Sequence, residues 1–172
     1  MKLRLWKTPA ILTAGIVMAI VARAQGTFTA SNAAGPRTHF VTDCDGKPLS
    51  GTNFVVGLLV KNPASGQFEG GLQRLGSDDS VAPFSPEPMR TGKLAGIFSF
   101  GMLRVPFVPA GKDAQVLIRV WDASGGKDFA GSALRGETNL TVRLGGASSG
   151  GIPSFPGRLS NFRGLVVCGP AK

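Results

Sequence analysis

The residues of this chain that are able to do chemistry are few and far apart. Its 172 residues include one histidine, His39, and two cysteines, Cys44 and Cys168. A catalytic histidine needs a nucleophile or an orienting carboxylate, and a structural zinc site needs four ligands. Neither set can be assembled, so we interpret His39 as a surface or packing residue. G-x-S-x-G, H-E-x-x-H and P-loop motifs do not occur. We therefore predict a non-enzymatic protein without a cofactor.

The two cysteines lie near opposite ends of the chain. In an oxidising compartment, a Cys44–Cys168 disulfide is the only intramolecular pairing. The alternative is two separate buried thiols, because a sequence alone does not show that the two side chains meet. A catalytic thiol is the least favoured interpretation, since the chain has a single histidine.

Two short acidic pairs are candidates for metal binding. Asp43 and Asp45, with Gly46 beside them, offer oxygen ligands of the kind that Ca²⁺ takes. An EF-type loop needs further acidic positions and a terminal glutamate, which residues 47–49 (Lys-Pro-Leu) do not supply. Turn formation is therefore the favoured interpretation of this pair. Asp78-Asp79 is interpreted as a solvated loop pair.

Trp121 is the candidate ligand-binding residue, and it is the only tryptophan after residue 24. On an exposed sheet face its ring would stack on a sugar, with Arg119 and Asp122 as hydrogen-bonding neighbours. Buried, it would anchor the core, and this is the favoured interpretation because large aromatic side chains usually serve burial.

The element that must carry Trp121 is a strand over residues 115–123. Val116, Ile118 and Val120 alternate with Leu117, Arg119 and Trp121, which predicts a central strand with its Val/Ile face on a core. Further strands are predicted at 26–32, 37–42, 53–61, 67–75, 96–102, 137–144 and 161–168. Residues 106–111 are predicted to be a connector, 127–134 one or two helical turns packed by Phe129 and Leu134, and 145–157 a flexible Gly/Ser/Pro loop.

The first 24 residues have the pattern of a secretory signal peptide. A basic start precedes an uncharged, mostly apolar run over 8–22, and Ala22-Arg23-Ala24 forms an A-x-A cleavage signature. The apolar run of 15 residues is shorter than the roughly 20 that a membrane-spanning helix needs, which disfavours an uncleaved anchor. We expect cleavage after Ala24 and a secreted, periplasmic or cell-surface protein without a membrane span. Residues 25–172 then form one domain.

Charge argues against nucleic acid as a partner. Residues 25–172 contain 15 basic and 10 acidic side chains, a net charge of +5, and the basic residues are scattered. Nucleic-acid-binding proteins concentrate positive charge on one face or helix. An envelope polysaccharide or protein is the expected partner, and the oligomeric state is not predicted.

Seven or eight short strands with Gly/Pro turns and one short helical turn predict an all-β fold, a single β-sandwich of Ig-like or transthyretin-like type. A standard immunoglobulin domain is disfavoured, because the chain has no tyrosine and Trp121 lies far beyond Cys44.

Two stretches resemble known families. Residues 41–51 (VTDCDGKPLSG) resemble the V-x-D-x-x-G-x-P-L-x-G start of transthyretin-like and carboxypeptidase-regulatory-like modules. The order of motifs over most of 26–168 is similar to uncharacterised exported bacterial proteins that often carry a PEP-CTERM tail. The motifs are this turn, Arg90-Thr91-Gly92, VLIRVWDA, the Phe129 turn, NLTVRLGG at 139–146 and a closing Pro-rich loop. The resemblance implies a β-sandwich and no particular activity. The tail is absent, because Ser-Pro-Glu-Pro at 85–88 is internal and no apolar helix follows it.

These observations favour a structural or adhesive role in the cell envelope or extracellular space. The alternative is a carbohydrate-binding module that uses Trp121. A hydrolase built from scattered Asp and Ser residues is the least favoured hypothesis. An exposed Trp121 in a groove would favour the carbohydrate-binding module.

Overall fold

The computed structural model describes residues 25–33, 38–78, 80–146 and 154–169. These residues form strands and two short 3-10 turns, which confirms the predicted all-β class. The predicted signal peptide and residues 147–153 of the predicted flexible loop lie outside the described residues. The described part of the chain includes no helix long and apolar enough to cross a membrane.

Twelve strands occur in the described residues, and five of them have seven residues or more. In chain order they are β1 (Gln25–Ser31), β2 (Val41–Thr42), β3 (Phe54–Lys61), β4 (Phe68–Glu69), β5 (Gln73–Leu75), β6 (Val81–Pro83), β7 (Glu87–Pro88), β8 (Ser99–Pro109), β9 (Asp113–Asp122), β10 (Arg135–Arg143), β11 (Gly157–Arg158) and β12 (Leu165–Val166). The 3-10 turns span Gly92–Leu94 and Ser124–Gly126.

The strands form two larger sheets and one small one. The first sheet has the order β11-β1-β8-β5-β6. The second has the order β10-β9-β3-β4, and β7 pairs with β3 on the same edge as β4. The third consists of β12 and β2, which run parallel. The predicted central strand is β9, which lies between β10 and β3.

One hydrophobic core lies between the inner faces of the two large sheets. Val116, Ile118 and Val120 of β9 are fully buried there, as their alternation predicts. They pack in the same cluster as Phe28 of β1 and Leu103 of β8. Burial of each such side chain contributes about 1.5–3 kcal/mol. The sandwich therefore results from the apolar faces of β9 and β3 meeting those of β1 and β8.

An ion pair also connects the two large sheets near the edge where β4, β5, β6 and β7 lie. Arg74 of β5 donates a hydrogen bond to Glu87 of β7 and is paired with it. The Arg74 guanidinium carbon lies 5.9 Å from the ring centroid of Phe84. Phe84 in turn packs against Phe100 of the core, with ring centroids 5.1 Å apart. This edge is therefore closed by side chains from both sheets.

The predicted helical turns at 127–134 are wrong, because these residues form a loop without helix. One helix-type bond occurs, from the Ser132 N–H to the Asp128 carbonyl at 3.1 Å, and the neighbouring carbonyls bond to side chains instead. Trp121 Nε1 donates to the Lys127 carbonyl, and Arg135 Nη1 donates to the carbonyls of Phe129 and Ala130. Leu134 is 40% exposed, so it does not pack as predicted.

The predicted connector at 106–111 is also wrong over most of its length, since β8 continues to Pro109. Proline is tolerated in a strand where no neighbour needs its missing N–H. In the described part of the chain, β5 pairs with β8 only at Met102, Leu103 and Arg104, so the edge of β8 opposite β1 has no partner strand at Pro106 and Pro109.

Cys44 and Cys168 form a disulfide, with Cα atoms 5.4 Å apart, which confirms the predicted pairing over separate thiols. Cys44 follows β2 directly after Asp43, and Cys168 lies two residues beyond β12. The bond therefore fixes the end of the small β12-β2 sheet. Disulfides persist in oxidising compartments, so the bond is compatible with an exported protein.

Candidate functional site

The outer face of the second sheet presents the predicted candidates Arg119 and Trp121. They point away from the core, opposite to the buried residues of β9. The strand register places Arg119 between Gly57 of β3 and Glu137 of β10. Both predicted residues therefore lie on one face, as the alternation of β9 indicates.

Trp121 is half-buried on this outer face, so it is neither a core anchor nor a freely exposed ring. It lies over Gly57, where an added Cβ would be 3.1 Å from its Cζ3 and 3.2 Å from its Cη2. Its Nε1 donates to the Lys127 carbonyl at 3.1 Å, which ties the 123–134 loop to the sheet. The absence of a side chain at Gly57 therefore lets the indole ring lie close to β3.

Phe129 of the 123–134 loop lies beside Trp121 and close to two guanidinium groups. The two rings meet edge to face, with centroids 6.1 Å apart and an interplanar angle of 89°. The guanidinium carbons of Arg119 and Arg135 lie 4.5 Å and 5.5 Å from the Phe129 centroid. Such cation–π contacts contribute about 0.5–1 kcal/mol each at exposed sites. They hold Phe129 in a defined position on the sheet.

Carboxylates complete the charge pattern of the site. Arg119 Nε donates to Glu137 Oε2 at 3.0 Å, across β9 and β10. Asp128 Oδ1 accepts the Gly131 N–H at 2.7 Å within the loop. With Arg135, the site therefore presents two cations and two anions around an aromatic ring.

Two adjoining cavities share these side chains. The larger, which we call the Arg–Phe groove, has a volume of about 720 Å³ and is lined by Arg119, Asp128, Phe129, Arg135 and Glu137, among others. The smaller, which we call the β3 notch, has a volume of about 260 Å³. It lies over residues 57–59 and is bounded by Gly70, Gly71, Phe84, Pro86 and Trp121. Arg119, Asp128 and Phe129 border both cavities.

Asp122, the third predicted ligand-binding residue, lines neither of these cavities. Its Oδ1 accepts hydrogen bonds from the Ser124 hydroxyl at 2.5 Å and the Ser124 N–H at 2.9 Å. These bonds hold the pKa of Asp122 below its usual value, with a smaller contribution from the charge of Lys127. Asp122 therefore orders the start of the loop that carries Phe129.

The Asp43–Asp45 pair forms a turn. Asp43 Oδ1 accepts the N–H groups of Asp45 and Lys47 at 3.0 Å and 2.9 Å. Within the described ranges, no group of three His, Cys, Asp or Glu residues is placed to hold a metal ion. In the other predicted pair, Asp78 accepts from Ser80, mainly from its hydroxyl and also from its N–H, and these bonds lower its pKa.

His39 is half-buried and lines neither the Arg–Phe groove nor the β3 notch. Its carbonyl accepts a hydrogen bond from Asn32 Nδ2 at 2.9 Å. Asn32 is buried and uses its whole amide, because Nδ2 also donates to the Gly96 carbonyl and Oδ1 accepts the Phe98 N–H. The main chain at His39 is therefore held by the side-chain amide of Asn32.

Sequence reasoning assigned Trp121 and Arg119 to the site and missed Phe129, Arg135 and Glu137. Glu137 could have been predicted from the β9–β10 register, which places it opposite Arg119. That register is not set by a tight turn, because residues 123–134 separate the two strands.

Comparison with protein-family models, with curated proteins and with solved structures gives no match to this chain. The inferences about function therefore rest on the geometry of the site.

Proposed function

We propose that this protein is an exported, non-enzymatic β-sandwich with an adhesive role, which binds carbohydrate on the outer face of its second sheet. The observation that carries the proposal is the Arg–Phe groove. In it, Phe129 lies among two arginines and two carboxylates, and it meets edge to face the ring of Trp121, which lines the adjoining β3 notch.

The chemistry of the groove suits a sugar. Aromatic side chains provide apolar surface for the C–H face of a pyranose ring, while hydroxyl groups need both donors and acceptors around it. Arg119 and Arg135 are donors, and Asp128 and Glu137 are acceptors. The two positive charges are balanced by two negative charges, which favours a neutral glycan over a strongly acidic one.

The bonding of the carboxylates supports binding without catalysis. Glycoside hydrolysis uses a pair of carboxyl groups free to act on the two sides of a glycosidic bond. Here Glu137 is paired with Arg119, and Asp128 accepts the Gly131 N–H. Both groups already hold the groove in shape.

The proposed location is the cell envelope or the extracellular space. It is supported by the signal-peptide pattern of residues 1–24 and by the Cys44–Cys168 disulfide. There, the expected ligand is an envelope or extracellular polysaccharide.

The test is binding of the oxidised, exported protein to a panel of glycans and polysaccharides, beside Trp121→Ala and Phe129→Ala. We expect selective binding that weakens about tenfold or more in both variants, since aromatic groups at the centre of a site carry much of its energy. Phe155→Ala is the matched control, because Phe155 is 93% exposed and lines neither cavity. Circular dichroism checks that each variant is folded. Absence of binding across the panel, or equal binding by all variants, would overturn the proposal and leave a structural role.

A further inference from the structure

The β3 notch lies where two segments cross between the sheets. Residues 70–72 leave β4 in the second sheet for β5 in the first, and residues 84–86 return from β6 to β7. Phe84 N–H donates to the Leu72 carbonyl, which joins the two crossing segments. On the edge of β3, pairing with β7 covers Val55 and Val56, and pairing with β4 covers Val60 and Lys61. Leu58 lies in the gap between them.

The main-chain N–H and C=O of Leu58 face this gap. The Phe54 carbonyl accepts from the Met89 N–H on this edge, and alternate residues of a strand direct their main-chain groups to the same side. On the opposite edge, β9 pairs through the intervening positions, as the bond from the Ala123 N–H to the Asn53 carbonyl shows. The main-chain N–H and C=O of Leu58 therefore point to the same edge of β3 as those of Phe54 and Val56.

Within the described parts of the chain, no hydrogen bond joins the main chain of Leu58 to the segments on this edge. Leu58 is only 3% exposed. More than nine in ten buried main-chain groups in proteins are paired, so the gap presents a donor and an acceptor that a bound group would satisfy. Leu58 lines the β3 notch, and Phe84, Pro86 and Trp121 are among the other residues that line it.

The surroundings restrict what can enter. β4 and β7 pair with the same edge of β3, one on each side of the gap, so an extended strand of another chain cannot lie along it. The volume of about 260 Å³ is below the roughly 300–1,000 Å³ of cavities that hold drug-sized ligands. A small group with an amide and an apolar end fits these limits.

We propose that the β3 notch recognises the acetamido group of an N-acetylated amino sugar. This inference rests on the proposed carbohydrate binding and specifies its ligand class. The acetamido oxygen accepts a hydrogen bond from the Leu58 N–H, and the methyl group packs against Phe84 and Pro86. The sugar ring then lies beside Trp121, and the rest of the glycan continues into the Arg–Phe groove across the shared residues Arg119 and Phe129.

The test measures, by calorimetry, the affinity of the exported, oxidised protein for three oligosaccharides. They are the β-1,4-linked hexamer of N-acetylglucosamine, its fully de-N-acetylated form and the β-1,4-linked hexamer of glucose. We expect the acetylated hexamer to bind about tenfold more tightly than the glucose hexamer, because only it fills the notch and pairs the Leu58 N–H. The de-N-acetylated hexamer should bind as weakly as the glucose hexamer.

The second part of the test uses a variant that fills the β3 notch. A Cβ added at Gly70 would have its nearest neighbour, Leu59 Cδ2, at 3.9 Å, so Gly70→Leu introduces bulk without a main-chain clash. It should abolish the preference for the acetylated hexamer and keep the binding of the glucose hexamer. Ala64→Leu, on an exposed turn, is the control and should leave the preference unchanged.

Two outcomes would overturn the inference, and they are distinguishable. Equal affinity for the acetylated and glucose hexamers would reject acetamido recognition and leave the proposed carbohydrate binding in place. No binding of any hexamer would reject acetamido recognition, and with no binding across the glycan panel it would reject both proposals. A change in the amide chemical shift of Leu58 on addition of the acetylated hexamer would place the contact directly.

Discussion

At the scale of single residues, Gly57 decides where the indole ring of Trp121 lies. The main-chain dihedral of Gly57 is not in the left-handed region, so alanine is compatible with the backbone there. The constraint is steric, since a Cβ would lie 3.1 Å from Trp121 Cζ3. Gly57 therefore acts through the space that it leaves for the ring.

We predict that Gly57→Ala displaces Trp121 and weakens its bond to the Lys127 carbonyl. Overpacking of this kind costs about 1–3 kcal/mol of unfolding free energy. Trp121 is the only tryptophan after residue 24, so its fluorescence reports the displacement as a shift to longer wavelength. Gly70→Ala is the matched control, because its new Cβ makes only an ordinary contact at 3.9 Å. An unchanged emission spectrum in Gly57→Ala would contradict the prediction.

At the scale of elements, the 123–134 loop is held at its start by Asp122. The Ser124 hydroxyl, then the Ser124 N–H, lower the pKa of this carboxyl in the folded state. Because the folded pKa is below the unfolded one, the bonds stabilise the loop above the ordinary aspartate pKa. That contribution is lost as the pH falls through the folded value.

We predict that Ser124→Ala raises the pKa of Asp122 toward its ordinary value, since it removes the largest cause of the shift. The acid-induced change in Trp121 fluorescence, which reports on the loop, should then occur at higher pH than in the parent protein. Carboxyl NMR titration measures the midpoint directly. Ser50→Ala, at an exposed position outside this loop, should leave the midpoint unchanged. An identical midpoint in Ser124→Ala and the parent would show that the hydroxyl has no such role.

The strands and the loops of this chain differ in how far the sequence predicts them. The sequence predicts β3, β9 and β10 within about two residues of their ends, because β9 and β10 have apolar residues at every second position and β3 is a continuous apolar run. The conformation of the 123–134 loop is not predicted by the sequence, because its carbonyls bond to Trp121 and Arg135. These contacts exist only once the sheet has formed. The aromatic and charged parts of the site depend on that loop and on the β9–β10 register. Periodicity in one strand does not specify either of them.

The β3 notch illustrates the same limit at the edge of the sheet. Prolines at 83, 86 and 88 disfavour a central strand there, and only the two short strands β6 and β7 occur. The sequence does not indicate that residues 70–72 and 84–86 both cross to the other sheet beside Leu58 and leave that edge of β3 open. That arrangement is set by Leu72 and Phe84, which pack toward the core between the sheets.

At the scale of the whole molecule, the disulfide joins distant parts of the chain. Cys44 and Cys168 are separated by 124 residues, and β3 to β12 lie between them. The small sheet that they fix has only two residue pairs, Leu165 with Val41 and Val166 with Thr42. Those few hydrogen bonds alone contribute little, so the attachment of the C-terminal segment depends on the disulfide and on the burial of Leu165 and Val167.

We predict that the double variant Cys44→Ser/Cys168→Ser loses about 4–5 kcal/mol of unfolding free energy. In the chain-entropy model, a covalent link that closes more than 100 residues restricts the unfolded chain by this amount. Guanidinium denaturation of the parent and the variant, each with and without reductant, measures it. Reductant should bring the parent to the stability of the variant and leave the variant unchanged. If reduction does not alter the parent, the burial of Leu165 and Val167 is enough to hold the C-terminal segment.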